Sequence, residues 1–483
     1  MITNPFTSAE LAAHHDGMLL LKVRPPAGPL AARGLTHDPT DGPWSPPGLS
    51  ALARLERAGM IKRVTPLAGA PPRGPGPPQA RGVLAALGEA TGQAPPWDAN
   101  AGVCIVELER ERDVPDLRLA LANDPQVEYV ARIPARYLLA TARTCKRPAK
   151  ADAAARGAPP GSTLWNLRKL RWARARARKG FKDAAAIRVA VLDTGIDPDH
   201  PDLKGRVIHY AFAHPDLPRA PSGCDLVGHG THVAGVIGAG INNDLGINGI
   251  CQCQLLAWKI FDDTPDASPL GHAFHYYVDP VMYRRALAEC LARGVDVVNL
   301  SIGGPGRPDP QEQALFDALL ARGTTVVAAM GNERRWGSPV SYPAAIPGVI
   351  AVGATGLDDT VADFSNRGHH IAVCAPGVAI WSTLPTYGGQ LGFEAIPGPD
   401  GRPAQGRAIG RATHYDAWAG TSMAAPHVAG AAALLLANKG KMGIAAVRAA
   451  LMQAAERVGG MGGGEFHPDY GAGRLDLLRL LKL

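Results

Sequence analysis

The chain has 483 residues, 46% of them apolar, with 57 glycines, 43 prolines and a formal charge of +7. At roughly 100–200 residues per domain, this predicts two or three domains with ordinary cores. No Gly-x-y period is present, which excludes a collagen-like chain, and the longest apolar stretch, Met423–Ala437, is too short for a membrane span of about 20 residues.

Met1–His15 shows neither the basic start nor the apolar run of a secretory signal. The expectation is a soluble chain with no membrane span, cytoplasmic or exported by a non-standard route. Met18–Arg24 reads as a strand, Leu49–Ala58 as a helix and Ile61–Leu67 as a strand. Ala68–Gly82, full of Pro and Gly, reads as a loop. Val103–Leu108, Val114–Ala122 and Val127–Ala131 then give strand, helix and strand. A β-α-β order met twice suits a small α+β sandwich of ferredoxin-like kind, with both helices on one side of a sheet. Residues 1–140 are therefore expected to form one domain. Residues 141–163, rich in Ala, Lys, Arg, Pro and Gly, form an exposed linker of the kind proteases cut. Residues 164–483 form the second domain.

The second domain opens on a basic run, Arg168, Lys169, Arg171, Arg174, Arg176, Arg178, Lys179 and Lys182. With no aromatic platform or nucleic-acid motif beside it, a solvated helix face is expected and no nucleic-acid partner. Short β-branched runs follow at Ile187–Leu192, Leu255–Ile260, Val295–Leu300, Thr324–Ala329 and Val349–Val352. Helical stretches such as Val281–Ala292 and Gln311–Ala321 alternate with them. This predicts a doubly wound, mostly parallel α/β sheet covered on both faces, with its site at the carboxyl ends of the strands. The seven cysteines show no C-x-x-C spacing, so free thiols are expected.

Four segments fall where that rule wants chemistry. Asp193-Thr194-Gly195 ends the first strand, ahead of Asp197, Asp199 and Asp202, which lie past the turn. His229 stands between Gly228 and Gly230, which let another chain approach, at the start of a helix that also carries His232. His229 is preferred for its exposure. Asn332 follows the strand Thr324–Ala329 and can donate an amide hydrogen bond into the crevice. Ser422 lies among small residues at a helix start, where unpaired N–H groups favour negative charge. Singly these are an ordinary turn, a structural histidine, a turn Asn and a cap. Together, in the order Asp, His, Ser with an Asn on the way, they match one known order of a serine-nucleophile relay.

Val191–Asp197, Gly228–Gly235 and Gly420–Pro426 resemble the three signatures of subtilisin-like serine peptidases (subtilases). Asn299–Gly304 resembles the family's substrate-pairing strand, and Ala328–Asn332 its oxyanion segment. The ending Asp124–Val130 resembles, more loosely, that of the family's inhibitory propeptide. The resemblance implies a serine endopeptidase made as a self-inhibited precursor, with polypeptide substrates and its own N-terminal region as an inhibitor in cis. It implies Asp193, His229 and Ser422 as charge relay and Asn332 as oxyanion donor. It implies substrate pairing to Ser301, Ile302 and Gly303, with Ser341 at the base of a broad, mostly apolar pocket and Glu333 on its rim. It also implies a structural calcium held by Asp202, Ile241, Asn243, Leu245 and Ile247, and no organic cofactor. The stretches Asp262–Val278, with His272 and His275, and Leu384–Tyr415 depart from the family pattern and are expected to border the cleft.

Overall fold

The computed structural model of the chain describes residues 14–24, 49–67, 100, 102–110, 113–138, 164–212, 225–261, 263, 265–267, 274–398 and 403–482. The expected linker and the loop Ala68–Gly82 lie outside them. The N-terminal elements are β1 (His14–Val23), α1 (Ser50–Arg57), β2 (Ile61–Pro66), β3 (Val103–Leu108), α2 (Val114–Ala122), β4 (Val127–Pro134) and a short β5 (Tyr137–Leu138). The first four strands form an antiparallel sheet in the order β2-β3-β1-β4, as the ferredoxin-like reading requires. Alternation along the strands sorts the side chains. Leu19, Leu21, Cys104 and Val106 pack with Leu52, Leu117 and Leu121 of the two helices. Leu20, Val103 and Ile105 face the other way and meet Val281 of the second sheet's covering layer.

That second layered unit contains β6 (Arg188–Asp193), β7 (Val207–Phe212), α3 (His229–Gly238), β8 (Gln254–Lys259), α4 (Pro280–Arg293), β9 (Val297–Leu300), β10 (Ile302–Gly303), α5 (Pro310–Ala321), β11 (Thr325–Ala329), β12 (Ile350–Thr355), β13 (Ile371–Pro376) and α6 (Thr421–Lys439). Seven strands pair in parallel in the order β13-β12-β11-β9-β6-β8-β7. Val189, Val191, Val297 and Val327 pack under α3 and α6, while Ala190, Leu192, Val298 and Val326 pack under α4 and α5. Both faces are thus apolar, which is why the strands read as continuous hydrophobic runs. The chain order reverses at β6, with β8 on one side and β9 on the other, so the crevice opens at the end of β6.

The basic run lies in short helices and turns and meets carboxylates. Lys169 Nζ is 2.9 Å from Asp359, Arg176 is 2.6 Å from Asp183, and Arg171 pairs with the buried Asp476. All five described cysteines are free and buried. The departing stretch Leu384–Tyr415 before Ser422 carries strands. Its ends belong to the strands Ile380–Leu384 and His414–Trp418, paired with each other, and between them lies the hairpin Gln390–Pro397/Pro403–Gly410, whose register shifts at Gly392.

Candidate active site

Asp193 is the last residue of β6 and His229 the first of α3. Gly230 allows the two to meet, because a Cβ there would lie 1.9 Å from the Gly195 carbonyl oxygen. His229 Nδ1 is 2.6 Å from Asp193 Oδ1, which also accepts the Thr194 N–H at 2.7 Å. His229 Nε2 is buried with no hydrogen-bond partner among the described residues. His229 is fully buried, so exposure does not distinguish it from His232. The contact with Asp193 does: His232 instead bonds the Ile380 carbonyl at 3.0 Å and stacks on Trp418. Burial pushes the His232 imidazole down to about 3, and that of His427, which is bonded to the Met423 carbonyl, down to about 4. Both are neutral packing groups.

The start of α3 is held by Asp225, a residue sequence reasoning passed over. Its carboxylate accepts the Gly228 and Thr231 N–H groups, at 2.8 and 2.9 Å, and the Thr194 and Thr231 hydroxyls, at 2.8 and 2.7 Å. It therefore ties the strand end bearing Asp193 to the helix start bearing His229. An Asp three residues before the helix-opening glycine was the available signal. Asp197 is occupied elsewhere, accepting the Thr386 N–H and hydroxyl at 2.9 and 2.8 Å.

Ser422 is the second residue of α6, which packs against α3. Its Oγ donates to the Ser301 carbonyl at 2.9 Å, and Ser301 Oγ returns a bond to the Ser422 carbonyl at 2.9 Å. Asn332 is clamped from the same helix: its Oδ1 accepts the Thr421 N–H and hydroxyl, each at 2.9 Å. That leaves Nδ2 as the donor end of the amide. Thr421 was missed as a positioning residue, although it adjoins Ser422 in the motif.

Beyond Ser301, Ile302 and Gly303 form β10. Its partner is β5, with Ile302 opposite Leu138 and Gly303 opposite Tyr137 in antiparallel register. Tyr137 also bridges Tyr277 on its other side. The edge expected to bind substrate thus carries the chain's own N-terminal segment. Ser341 is buried, its hydroxyl lacking a partner among the described residues. Glu333 does not lie on an open rim. It is buried, bonded to Asn366 at 2.7 Å and within 3.5 Å of the Tyr137 hydroxyl, and burial raises its carboxyl to about 7. The two departing stretches meet each other: Gln390 bonds the Tyr276 hydroxyl at 3.1 Å, and Gln405 the Pro265 carbonyl at 3.1 Å. Arg411 latches the hairpin to the loop before His229, donating to Leu226 and Asp225 carbonyls at 2.8 and 3.1 Å. His272 lies outside the described residues.

A parallel sheet with an Asp–His pair at its reversal point and a serine opening the next-door helix defines the subtilisin class of architecture. A sequence model of the subtilase family matches residues 184–473, and the chain belongs to that family. It is 36% identical to subtilisin E of Bacillus subtilis over 255 residues, 52% of this chain and 56% of that protein. It is 36% identical to a subtilisin of Bacillus pumilus, of which it covers 77%, and 35% identical to the major intracellular serine protease of B. subtilis, of which it covers 70%. The chain thus spans just over half the length of the subtilisin E it matches. Fervidolysin of Fervidobacterium pennivorans, a keratinolytic enzyme related to subtilisin, shares the fold with a TM-score of 0.61 and 23% identity, covering 97% of this chain and 61% of its own. No helix among the described residues is long and apolar enough to cross a membrane.

Calcium is common in this family, and the loop that would hold it is formed. Asp202 meets Asn243 and Ile247, but through hydrogen bonds: Asp202 Oδ1 accepts Asn243 Nδ2 at 2.8 Å, and Oδ2 accepts the Ile247 N–H at 3.0 Å and the Tyr415 hydroxyl at 2.9 Å. Asn243 Oδ1 accepts the Leu245 N–H at 3.2 Å. Burial and the adjacent Asp202 carboxylate keep the Tyr415 phenol protonated. Calcium needs six to eight oxygens turned toward one point. Here protein donors occupy the Asp202 carboxylate, and the Asn243 amide presents nitrogen to it, so these two side chains as they stand are turned to each other and not to an ion.

Proposed function

We propose that this chain is a serine endopeptidase that hydrolyses peptide bonds through an acyl-enzyme. Asp193, His229 and Ser422 are the charge relay. The observation that carries the reading is the 2.6 Å contact between Asp193 and His229 at the reversal point of the sheet, beside the helix that bears Ser422. Asp193 fixes the imidazole with Nε2 as its acceptor and stabilises the imidazolium that forms. The Ser422 hydroxyl leaves the Ser301 carbonyl, gives its proton to Nε2 and bonds to the substrate carbonyl carbon. The oxyanion accepts hydrogen bonds from Asn332 Nδ2 and the Ser422 N–H. Losing one such side chain costs about 10²–10³ in kcat, a magnitude known from subtilisin itself. The C–N bond breaks as the imidazolium protonates the leaving amine, and water repeats the sequence on the acyl-enzyme.

Substrate polypeptides bind as an extended strand on Ser301, Ile302 and Gly303, so main-chain bonds supply much of the affinity. Ser341, small and uncharged, favours broad, mostly apolar side chains in the primary pocket. Residues 1–140 act as an inhibitor in cis, 141–163 as the linker cut on activation, and 164–483 as the peptidase domain. The occupation of β10 by β5 supports this division. Calcium at Asp202 is not part of the proposal. N-terminal sequencing of freshly purified protein tests the reading. A new N-terminus between residues 140 and 163 is expected in the wild type and none in Ser422→Ala. The same new terminus in both would remove Ser422 from the mechanism.

A further inference from the structure

The residue before β5 carries a side chain that main-chain pairing does not explain. Arg136 is buried in the second layered unit against Glu312 of α5, with side chains only 2% and 1% exposed. Its Nε lies 3.1 Å from Oε1 and its Nη2 2.8 Å from Oε2, a bidentate fork, while Nη1 donates to the Gly306 carbonyl at 2.8 Å. The Tyr283 hydroxyl of α4 adds a bond to Glu312 Oε1 at 3.2 Å. The other buried ions nearby balance each other: Arg284 pairs with Asp309, whose Oδ1 also accepts the N–H groups opening α5 at 3.0 and 2.9 Å. Without Arg136, Glu312 keeps the Tyr283 hydroxyl and, at longer range, the charge of Arg284, whose direct partner is Asp309. A buried carboxylate in that state is costly unless another cation arrives.

Register says what would bring one. With Tyr137 on Gly303 and Leu138 on Ile302, a strand in this alignment meets Ser301 with its next residue, and the Ser301 carbonyl is where the Ser422 hydroxyl rests. A residue seated as Arg136 is then the fourth before the bond offered to Ser422. We propose that Glu312 is the specificity-determining carboxylate of a guanidinium-selective substrate subsite at that position, which Arg136 fills while the N-terminal region is docked. This rests on the peptidase reading above. It adds a basic requirement remote from the primary pocket, where Ser341 leaves the preference apolar. The planar fork and the carbonyl of Gly306 select arginine over lysine, because three donors in one plane match a carboxylate and a carbonyl together.

The test uses the full chain after self-processing and quenched peptides X-Tyr-Leu-Leu-Ala-Thr, which follow the chain's own sequence from 136 to 141, with Arg, Lys, Leu or Ala as X. The Arg peptide should exceed the Leu and Ala peptides in kcat/KM by about thirtyfold or more, as truncation of a buried hydrogen-bonded charge pair implies. Lys should fall between them. Glu312→Gln should lose the Arg preference while still cutting the Leu peptide. Should that variant fail to fold, the ranking of peptides by the wild type alone decides. Equal cleavage of Arg, Leu and Ala peptides, or a preference that survives Glu312→Gln, would overturn the subsite and leave Arg136–Glu312 as a clamp only. Cleavage of no peptide would overturn the peptidase reading, and the subsite with it.

Discussion

Two buried acid–base pairs organise this molecule, and they are built differently. Asp193 and His229 both belong to the large sheet and its covering helix, 36 residues apart, and their pair is complete within that unit. Arg136 and Glu312 are 176 residues apart and join the N-terminal segment to α5. The first pair is backed by Thr194 and Asp225, so removing the N-terminal region leaves its hydrogen bonds intact. The second loses its cation in that event. The first pair is thus complete within the large unit, whereas the second is complete only with the segment that leads into the strand on β10.

Breaking each pair should therefore give opposite signatures. Asp193→Asn, with the N-terminal region removed, should lower kcat by about 10⁴, the cost known for the equivalent change in a serine protease triad, and leave the fold intact. Peptide kinetics beside a urea melt would show it, and a loss below tenfold would contradict the assignment. Arg136→Ala, made in a Ser422→Ala chain to prevent processing, should instead cost about 3–5 kcal/mol of stability, because it strands a buried carboxylate. A change under 1 kcal/mol in urea unfolding would show that Arg284 or solvent takes over Glu312.

Glu333 sharpens the comparison through pH. Its carboxyl stands at about 7 in the folded chain against an ordinary 4.5. The folded state thus binds the extra proton, and this contribution to stability is present below about 4.5 and lost as pH rises through 7. The size is about 3 kcal/mol at 1.36 kcal/mol per pKa unit. His232 and His427 act in the other direction, their contribution being lost as pH falls below 6.5. Glu333→Gln should keep the histidine limb and flatten the rise-dependent one. Urea midpoints at pH 4.5 and 8 measure the difference, and parallel profiles for the two chains would contradict it.

The residues proposed as the relay stand out in the sequence because each sits at a strand or helix end, where local chemistry is constrained. The ferredoxin-like order was readable for a similar reason, since six elements alternate cleanly in period. Glu333 was misplaced on a rim because nothing local reveals that Tyr137, almost 200 residues earlier, lies over it. Asp202 and Asn243 look the same in sequence whether they bind an ion or each other, and the hydrogen bond from Tyr415, far along the chain, could not be anticipated from the loop. The strand Val207–Phe212 escaped notice because His209 and Tyr210 break its apolar run at the sheet edge. The hairpin before Ser422 escaped because its glycines mark register shifts within strands as well as turns. Arg136 and Glu312 carry no motif at all, and only the fold brings them together.

Labelling the self-processed chain with a fluorophosphonate and mapping the adduct by mass tests the central claim most directly. The account predicts a single adduct on Ser422 that is lost in His229→Ala. A processed chain with Ser422 unmodified, or an adduct on another serine, would contradict it.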